Sequence, residues 1–387
     1  MALSNQKKST MCFPFNFHSS TYLSLKIRSG LLLRLRRLMV FMIAVGILTI
    51  PQNGLARGGS GYVVLDGETG RVLSGSNSDA RLPIASLTKI WTALVAIENS
   101  DLQDEVIISP KAAMAEGSSI YLQAGETVTV ETLLYGLMLR SGNDAATALA
   151  EHAGGSVEGF VKLMNERAVI AGLTNTVFMN PSGLHHDEHL SSARDTAEML
   201  RIALQNKTFE KIASTVLYRA NTVNGILWEN KHRLLREGSG VAVEVDDETE
   251  QPVSSLKSAT GTAFAGKTGF TKVAGRTLAT AFQKDGQTCI VVTLNESDDW
   301  NVHRGLANEV WQNYNMETVV KKGKYNVNDK LAIRLEQPIQ LQLNKEEKKI
   351  ARQVLQISRK RKEAVLSIFL GEERIYAIPV KVESADR

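Results

Sequence analysis

Ser86 and Lys89 are the first residues of this 387-residue chain whose types and spacing could do chemistry. They lie in the segment Pro83–Ile90, which reads as a loop that turns into a helix. Residues three apart on a helix share a face, so the Ser86 hydroxyl and the Lys89 amine can meet. A serine hydroxyl becomes a nucleophile at neutral pH when a neighbouring base accepts its proton, and a buried, neutral lysine amine is such a base. The following helix is apolar, which predicts a desolvated site for Lys89.

Two later motifs strengthen this interpretation. Taken alone, Ser-x-x-Lys is weak, because serine often caps helices and lysine is common on their surfaces. However, Ser141–Asn143 (Ser-Gly-Asn) begins 55 residues after Ser86, and Lys267–Gly269 (Lys-Thr-Gly) begins 126 residues after Ser141. Each alone fits an ordinary turn or strand end. Three chance matches in this order and context are not expected, so the three motifs together predict one site.

The three motifs together resemble the signature of class A β-lactamases and penicillin-binding proteins. The Ser-Gly-Asn form resembles the serine-type D-alanyl-D-alanine carboxypeptidases, the low-molecular-mass penicillin-binding proteins, from about Gly61 to Tyr314. The resemblance implies a β-lactamase/transpeptidase-like fold with an inserted helical subdomain. The residue pattern itself, strands then helices then strands with long crossovers, predicts an α/β (α+β) class with a mostly antiparallel sheet flanked by helices.

The resemblance assigns catalytic roles to three residues. It implies that Ser86 attacks the carbonyl between two D-alanines and forms an acyl-enzyme. Neutral Lys89 accepts the Ser86 proton. Ser141 passes a proton to the departing amine, a task for a hydroxyl that both donates and accepts.

The resemblance also implies a set of substrate-binding residues. Asn143 offers its amide to the substrate backbone and to the base. Lys267 and Thr268, on an edge strand, bind the terminal carboxylate, and Gly269 lets the substrate approach the strand closely. The backbone N–H groups of the nucleophile and of Phe270 form the oxyanion hole. Some relatives carry histidine at the position of Phe270, so its ring is assigned no catalytic role.

The implied partners are peptidoglycan stem peptides ending in D-Ala-D-Ala, with β-lactam antibiotics as covalent inhibitors and no cofactor. No Cys/His cluster has the spacing of a metal site. His185, His186 and His189 are interpreted as loop residues. Cys289, in an apolar run, is predicted to be a buried small hydrophobe.

Three other functions fit parts of the same pattern. A class A β-lactamase needs a glutamate that activates the deacylating water, and no Glu-x-x-x-Asn segment lies between Asn143 and Lys267. An endopeptidase or transpeptidase would use the same site on cross-linked peptides. A catalytically idle module that binds β-lactams or the cell wall would be expected to lack a motif member, and none is missing.

Residues 1–56 are interpreted as a secretory signal peptide. They carry seven basic and no acidic side chains, followed by the apolar run Leu38–Ile50 and the small-residue site Gly54–Ala56. An uncleaved anchor and a buried helix are the alternatives, and the true start could lie at Met11. The remaining chain has a net charge of −3, since the whole is +4, which argues against a nucleic-acid partner. The protein is therefore predicted to be exported, either secreted or at the outer face of the cytoplasmic membrane.

The mature chain is predicted to contain a catalytic domain, residues 57–316, and a small basic β-rich domain, residues 317–387. The latter holds sixteen basic and ten acidic side chains. Family members often carry a small β domain here and then an amphipathic membrane helix. No such helix follows Val382, which leaves C-terminal anchoring open.

Residues 236–263 are predicted to form an acidic loop outside the catalytic set. Their acidic side chains and few large apolar groups cannot bury enough surface to offset the entropy of ordering. Long loops of this kind are usually functional or disordered, and we interpret this one as a mobile flap beside the cleft.

Local patterns also predict three details near the site. Asn143 or Asp144 is expected to cap the helix after the Ser-Gly-Asn motif. Asp195 is expected to cap the helix that ends at Leu204. The main sheet is expected to resume at residues 225–228.

Overall fold

The structure, a computed structural model, describes residues 10–11, 59–224, 227–239, 261–358 and 363–384. The predicted leader, apart from residues 10–11, and residues 240–260 of the predicted acidic loop lie outside these ranges. Seventeen strands are described: β1 Thr10–Met11, β2 Gly61–Asp66, β3 Val72–Ser76, β4 Glu105–Ile107, β5 Thr127–Thr129, β6 Leu217–Arg219, β7 Leu227–Glu229, β8 Thr262–Thr271, β9 Gly275–Lys284, β10 Gln287–Leu294, β11 Tyr314–Val320, β12 Gly323–Asn328, β13 Leu331–Leu335, β14 Ile339–Asn344, β15 Ala351–Ile357, β16 Ala364–Leu370 and β17 Glu373–Glu383.

Ten α-helices are described in the same ranges, with a 3₁₀ turn at Ala85–Leu87 and a π-helical turn at Gly136–Arg140. The helices are α1 Thr88–Asn99, α2 Pro110–Ala113, α3 Val130–Tyr135, α4 Asn143–Gly154, α5 Val157–Ile170, α6 Ala193–Leu204, α7 Lys207–Ala213, α8 Arg233–Ser239, α9 Asp299–Asn313 and α10 Lys345–Ile350.

The main sheet has five antiparallel strands in the order β3-β2-β10-β9-β8. Its inner strands are apolar on both faces, as expected for a sheet covered by helices. Helix α6 packs against β2 and β10, and α9 packs against β9 and β10. This confirms the predicted α/β (α+β) class with a mostly antiparallel sheet, and β8, which carries Lys-Thr-Gly, is an edge strand as expected.

Helices α1 to α7 lie between β3 and β8 in the chain and form the inserted helical part. Helix α1 is its central element, because Ile90, Trp91 and Leu94 are all almost fully buried. The indole N–H of Trp91 donates to the carbonyl of Met164 at 3.0 Å, which ties α1 to α5. Full burial of α1 creates the dry surroundings that the sequence predicts for Lys89.

The C-terminal strands enclose a second hydrophobic core, with members such as Leu341, Leu366 and Ile368. A six-stranded sheet runs in the order β1-β15-β16-β17-β13-β12, and β11 pairs with β14. Arg71 directly precedes β3, the strand that pairs with β2. It forms an ion pair with Glu347 and donates to the Gln342 carbonyl at 2.7 Å. These contacts join the main sheet to the C-terminal strands.

Four local predictions are wrong. The ends of the predicted loop at residues 236–263 are regular structure, because residues 236–239 belong to α8 and residues 262–263 belong to β8. Residues 227–229 pair with β6 in a separate two-stranded hairpin and do not rejoin the main sheet. The N-cap of α4 is Gly142, which has no side chain, so neither Asn143 nor Asp144 occupies the cap position. Helix α6 is capped by Ser192, whose hydroxyl accepts the Asp195 N–H, while the Asp195 carboxylate accepts from the Asn175 N–H at 2.8 Å and from Thr176. The Ser192 hydroxyl therefore caps the helix, and the Asp195 carboxylate instead binds the loop at Asn175 and Thr176.

Candidate active site

The turn that carries Ser86 begins with Ala85, whose φ of +48° is unusual for a residue with a Cβ. It places half-buried Ser86 at the start of the 3₁₀ turn that leads into α1. Two hydroxyls hold this turn: Thr88 Oγ1 donates to the Ala85 carbonyl at 2.8 Å, and Thr277 Oγ1 on β9 donates to the Ile84 carbonyl at 3.1 Å. The turn is thus fixed both by its own helix and by the sheet.

Lys89 lies fully buried, with three oxygens around its amine. Nζ is 3.0 Å from Ser86 Oγ, 2.7 Å from Asn143 Oδ1 and 2.6 Å from the Ser182 carbonyl. The amide and carbonyl oxygens can only accept. They therefore take the two N–H bonds of a neutral amine, and its lone pair is left facing Ser86 Oγ. This is the arrangement in which a lysine can accept the serine proton.

The electrostatics favour the same neutral state. Burial lowers the pKa of Lys89 well below its ordinary value, and the positive charges of Lys267 and Lys231 lower it further, against a smaller opposing effect of Asp144. Desolvation disfavours the ammonium ion, and nearby cations do the same. Lys89 thus has the geometry and the electrostatics of a base.

The Ser-Gly-Asn motif connects the π-helical turn to α4. Ser141 adopts a left-handed conformation, with φ +65° and ψ +34°, and is only 4% exposed. Asn143 is held on both sides: its backbone N–H donates to the Ser118 carbonyl at 2.7 Å and its side-chain amide donates to the Glu116 carbonyl. Its remaining amide oxygen faces Lys89. The motif therefore presents a hydroxyl and an amide to the cleft from a rigid connection.

The edge strand β8 forms the opposite wall. Lys267 Nζ lies 3.0 Å from Ser141 Oγ and 2.8 Å from the Thr268 carbonyl. Gly269 passes beside the nucleophile, since a Cβ built there would lie 2.9 Å from the backbone nitrogen of Ser86. Phe270 follows and is 66% exposed. The structure thus brings together all the residues that the sequence predicts for the site.

Burial lowers the pKa of Lys267 to about 7, with a further contribution from Lys231. Lys231 lies two residues after β7, and partial burial of its amine, together with the charge of Arg140, lowers its pKa. Its backbone N–H donates to the Leu139 carbonyl, two residues before Ser141. Three cationic side chains, Lys267, Lys231 and Arg140, therefore lie near neutral Lys89, which suits an anionic ligand.

Several residues near the site carry no motif and were missed. The Ser182 carbonyl accepts from Lys89. Asp144, expected as a cap, is fully buried and accepts the backbone N–H groups of Ile120 and Leu122 at 3.0 and 3.1 Å, which shapes the loop beside the motif. The sequence cannot indicate the role of the Ser182 carbonyl, because every residue type has a backbone carbonyl. The position of Asp144 in the sequence is typical of a helix cap, so its buried contacts were not predicted.

The three histidines lie in a loop, as interpreted from the sequence, but they differ in burial. His185 and His186 are exposed loop residues, as interpreted from the sequence, but His189 is only 3% exposed. His232 is also buried, behind the edge strand, and a Cβ at Gly266 would lie 2.6 Å from its Nε2. Among the described residues, no group of three or more His, Cys, Asp or Glu side chains could hold a metal ion. Cys289 is buried, as predicted, and burial raises the pKa of its thiol.

Residues 55–245 match the peptidase S11 family, D-alanyl-D-alanine carboxypeptidase. The chain is 38% identical over 224 residues to D-alanyl-D-alanine carboxypeptidase DacF of Bacillus subtilis, a match that covers 53% of this chain and 58% of that relative. It is 30% identical over 236 residues to D-alanyl-D-alanine carboxypeptidase DacB2 of Mycobacterium tuberculosis, covering 60% of this chain and 73% of the relative.

The fold agrees with this match. The crystal structure of D-alanyl-D-alanine carboxypeptidase DacD from Francisella tularensis has a TM-score of 0.63 to this structure at 25% identity, covering 87% of this chain and 96% of the other. The chain belongs to the D-alanyl-D-alanine carboxypeptidase family of serine peptidases. The first of the relatives above is matched over little more than half of its length.

Proposed function

We propose that this protein is a serine D-alanyl-D-alanine carboxypeptidase that removes the terminal D-alanine from peptidoglycan stem peptides and is acylated by β-lactams. The observation that carries this proposal is the 3.0 Å contact between Ser86 Oγ and the buried amine of Lys89. Family membership supplies the substrate class. Trimming stem peptides in this way limits cell-wall cross-linking.

Acylation follows from the geometry. Neutral Lys89 accepts the proton of Ser86 as Oγ attacks the carbonyl carbon between the two D-alanines. The oxyanion that forms is held by the backbone N–H groups of Ser86 and Phe270. A donor of this kind commonly contributes about 2.7–4 kcal/mol of transition-state stabilisation. The leaving D-alanine amine takes a proton through Ser141, and water then hydrolyses the acyl-enzyme.

Substrate binding uses the opposite wall. The terminal carboxylate lies against Lys267 and Thr268, where the ammonium ion supplies a charge-assisted hydrogen bond. Gly269 allows the peptide to lie along the open edge of β8, as an added strand would. Asn143 keeps Lys89 in place and offers its amide to the substrate backbone.

The experiment is labelling with a tagged penicillin, followed by mass mapping, together with an assay for D-alanine released from a D-Ala-D-Ala-terminated peptide. We expect a label on the peptide that contains Ser86 and stoichiometric release of D-alanine. Ser86→Ala should abolish both in a protein with an unchanged melting temperature.

The outcomes separate the alternatives. A label that survives in Ser86→Ala contradicts the mechanism. A label without D-alanine release favours a binding module, and release from cross-linked dimers in preference to linear peptides favours an endopeptidase. Rapid hydrolysis of the penicillin itself favours a β-lactamase.

The proposed place of action is outside the cytoplasmic membrane, after removal of residues 1–56. The basic and apolar composition of this leader and the cell-wall substrate of the family support it. No helix among the described residues is long and apolar enough to cross a membrane. N-terminal sequencing of the protein from its native host should begin near Arg57, and an intact leader on membrane-bound protein would favour an uncleaved anchor.

A further inference from the structure

His189 is a buried polar ring that belongs to none of the three motifs. It lies in the loop between Ser182 and α6, and its ring meets the edge of Phe178 with centroids 5.7 Å apart at 73°. It is 3% exposed, whereas its loop neighbour His186 is exposed. Buried polar atoms almost always have hydrogen-bond partners, so the two nitrogens of this ring require an explanation.

Each ring nitrogen of His189 has a partner, and one partner fixes the tautomer. Nδ1 lies 3.1 Å from the backbone nitrogen of Met179, which can only donate. Nδ1 must therefore accept, and the proton of the neutral ring must be on Nε2. Nε2 lies 2.8 Å from Thr88 Oγ1, so its N–H donates to that hydroxyl.

Thr88 continues the chain toward the nucleophile. Having accepted from His189, its hydroxyl donates to the Ala85 carbonyl at 2.8 Å. A directed series of hydrogen bonds thus runs from the Met179 N–H through His189 and Thr88 to the peptide that joins Ala85 to Ser86. Hydrogen bonds in such a series polarise one another and strengthen together.

The receiving carbonyl belongs to a strained residue. Ala85 has φ +48°, a conformation that costs a residue with a Cβ about 1–3 kcal/mol and persists only when its surroundings enforce it. Gly183 packs directly on this carbonyl, since a Cβ there would lie 1.9 Å from the Ala85 oxygen. The loop that contains Ser182 and His189 therefore contacts both the amine of Lys89 and the turn that carries Ser86.

We propose that His189 is a positioning residue that holds, through Thr88, the Ala85 turn in the conformation that sets Ser86 Oγ against Lys89. The proposal rests on the acylation of Ser86 proposed above and deepens it. His189 touches neither Ser86 nor Lys89 by a hydrogen bond and has no part in the proton transfer itself.

The protonation state of the ring is consistent with this role. Burial, followed by the charges of His186 and Lys89, lowers the pKa of His189 to about 4. The ring is therefore neutral at neutral pH. A protonated ring would carry a hydrogen on Nδ1 and could not accept from the Met179 N–H.

Two half-substitutions separate the ends of the series. His189→Gln places an amide N–H near the position of Nε2 and keeps a donor for Thr88. His189→Asn places an amide oxygen near the position of Nδ1, keeps an acceptor for the Met179 N–H and loses the donor. Thr88→Val removes the hydroxyl at almost constant shape, and Thr88→Ser restores it.

The measurement is the acylation rate constant k2 for a chromogenic penicillin, separated from its binding constant K by stopped flow in the full-length protein. We expect k2 to fall at least about tenfold, equivalent to about 1.4 kcal/mol, in His189→Asn and in Thr88→Val, with K nearly unchanged. His189→Gln and Thr88→Ser should retain most of k2. The double variant of His189→Asn and Thr88→Val should lose no more than the more impaired single variant, because both remove the same series.

Controls exclude a merely structural role. His186→Gln changes an exposed histidine of the same loop and should leave k2 unchanged. Melting temperatures show whether a variant has lost the fold. If His189→Asn does not fold, the Thr88→Val and Thr88→Ser pair carries the test. Wild-type k2 in His189→Asn, or equal losses in His189→Asn and His189→Gln, would overturn the proposal.

A second readout does not depend on acylation. Nitrogen-15 labelling of the histidines reports the tautomer of His189 directly, and we expect the proton on Nε2. A proton on Nδ1, or on both nitrogens at neutral pH, would also overturn the proposal. A wild-type protein that binds no penicillin would instead contradict the proposed function, while the tautomer would still decide on the series of hydrogen bonds.

Discussion

The cleft has two sides, and each contains one buried lysine. The two sides position their lysines by different contacts. On the helix side, residues 85–89, the Lys89 amine contacts oxygens from the 3₁₀ turn before its helix, from the Ser-Gly-Asn motif and from the Ser182 loop. On the strand side, residues 267–270, Lys267 meets the Ser141 hydroxyl and the carbonyl of its own neighbour. One lysine is enclosed by three segments, and the other extends from a regular strand.

The backbones differ in the same sense. The helix side depends on Ala85 in a left-handed conformation, and the strand side is an uninterrupted antiparallel ladder in which Lys267 is opposite Ala279 and Gly269 is opposite Thr277. Proton transfer requires several atoms within hydrogen-bond distance at once. A strained backbone at Ala85, held by many contacts, can keep those atoms in place. Carboxylate binding requires only a positive charge and an open strand edge. Lys267 on the regular edge strand β8 supplies both.

The largest expected effect is that of Lys89→Arg. Arginine is also a long basic side chain, but it cannot act as a base, since it stays protonated. General-base catalysis contributes about 10²–10⁴-fold, so k2 for penicillin should fall by at least about 100-fold. Stopped-flow acylation measures this change. Lys272→Arg, at an exposed lysine in the turn after β8, is the matched control and should acylate normally. Near-normal acylation in Lys89→Arg would mean that Lys89 is structural.

Lys267→Met is expected to have a smaller effect, on a different constant. A hydrogen bond to a charged group contributes about 1.5–3 kcal/mol, so penicillin binding should weaken by about 10- to 150-fold. The loss should appear chiefly in K, because the carboxylate of the ligand loses its cation while Ser86 and Lys89 remain. A loss confined to k2 would assign Lys267 to the chemistry and would remove the distinction between the two sides.

The pH dependence should separate the sides in the unmodified protein. Lys89 must be neutral to act, so k2 should fall by up to about tenfold per pH unit as the pH drops below its lowered pKa. Lys267 must be charged to bind, and its pKa is about 7 in the free protein, so K should weaken as the pH rises above that value. Lys267→Met should abolish the alkaline change in K and keep the acid limb of k2, moved to higher pH because the charge of Lys267 no longer lowers the pKa of Lys89. An alkaline limb that persists in this variant would assign it to another group.

Much of the helix side and the strand side could be predicted from the sequence, because each motif is short and local. The i, i+3 spacing of Ser86 and Lys89 brings them together on any helix. The apolar residues of α1 implied burial of Lys89. The sequence also predicts strands at residues 62–65, 277–283 and 288–294, which lie within β2, β9 and β10.

What the sequence could not show is the support between segments. The Ser182 carbonyl is a backbone atom, and any residue type would supply one. His189 is indistinguishable in the sequence from exposed His185 and His186, because its burial depends on Thr88, 101 residues away. Asp195 illustrates the same limit. Its carboxylate accepts a hydrogen bond from the backbone of Asn175, twenty residues earlier, and does not cap its own helix. Long-range contacts of this kind decide which of several equivalent side chains is used.

The smallest expected effect is that of shortening residues 238–260 to a few glycines. The segment leads into the strand side, but it joins β8 at the end far from the site. Gly261 precedes Lys267 by six residues, which at about 3.3 Å each places the junction about 20 Å from the lysine. The start of β8 is held independently, because Thr262 and Ala263 pair with Gln283 and Phe282 of β9.

Acylation by penicillin should therefore stay within about tenfold of the wild type, equivalent to about 1.4 kcal/mol. Loop closure costs only about 0.6 kcal/mol per doubling of length, so the shortened protein should fold with a similar melting temperature. A serine-for-acid version of the same segment, with its length unchanged, tests charge separately from length. If the shortened protein is folded but no longer acylated, the segment belongs to the active site, and the strand side would then need support from outside its ladder just as the helix side does.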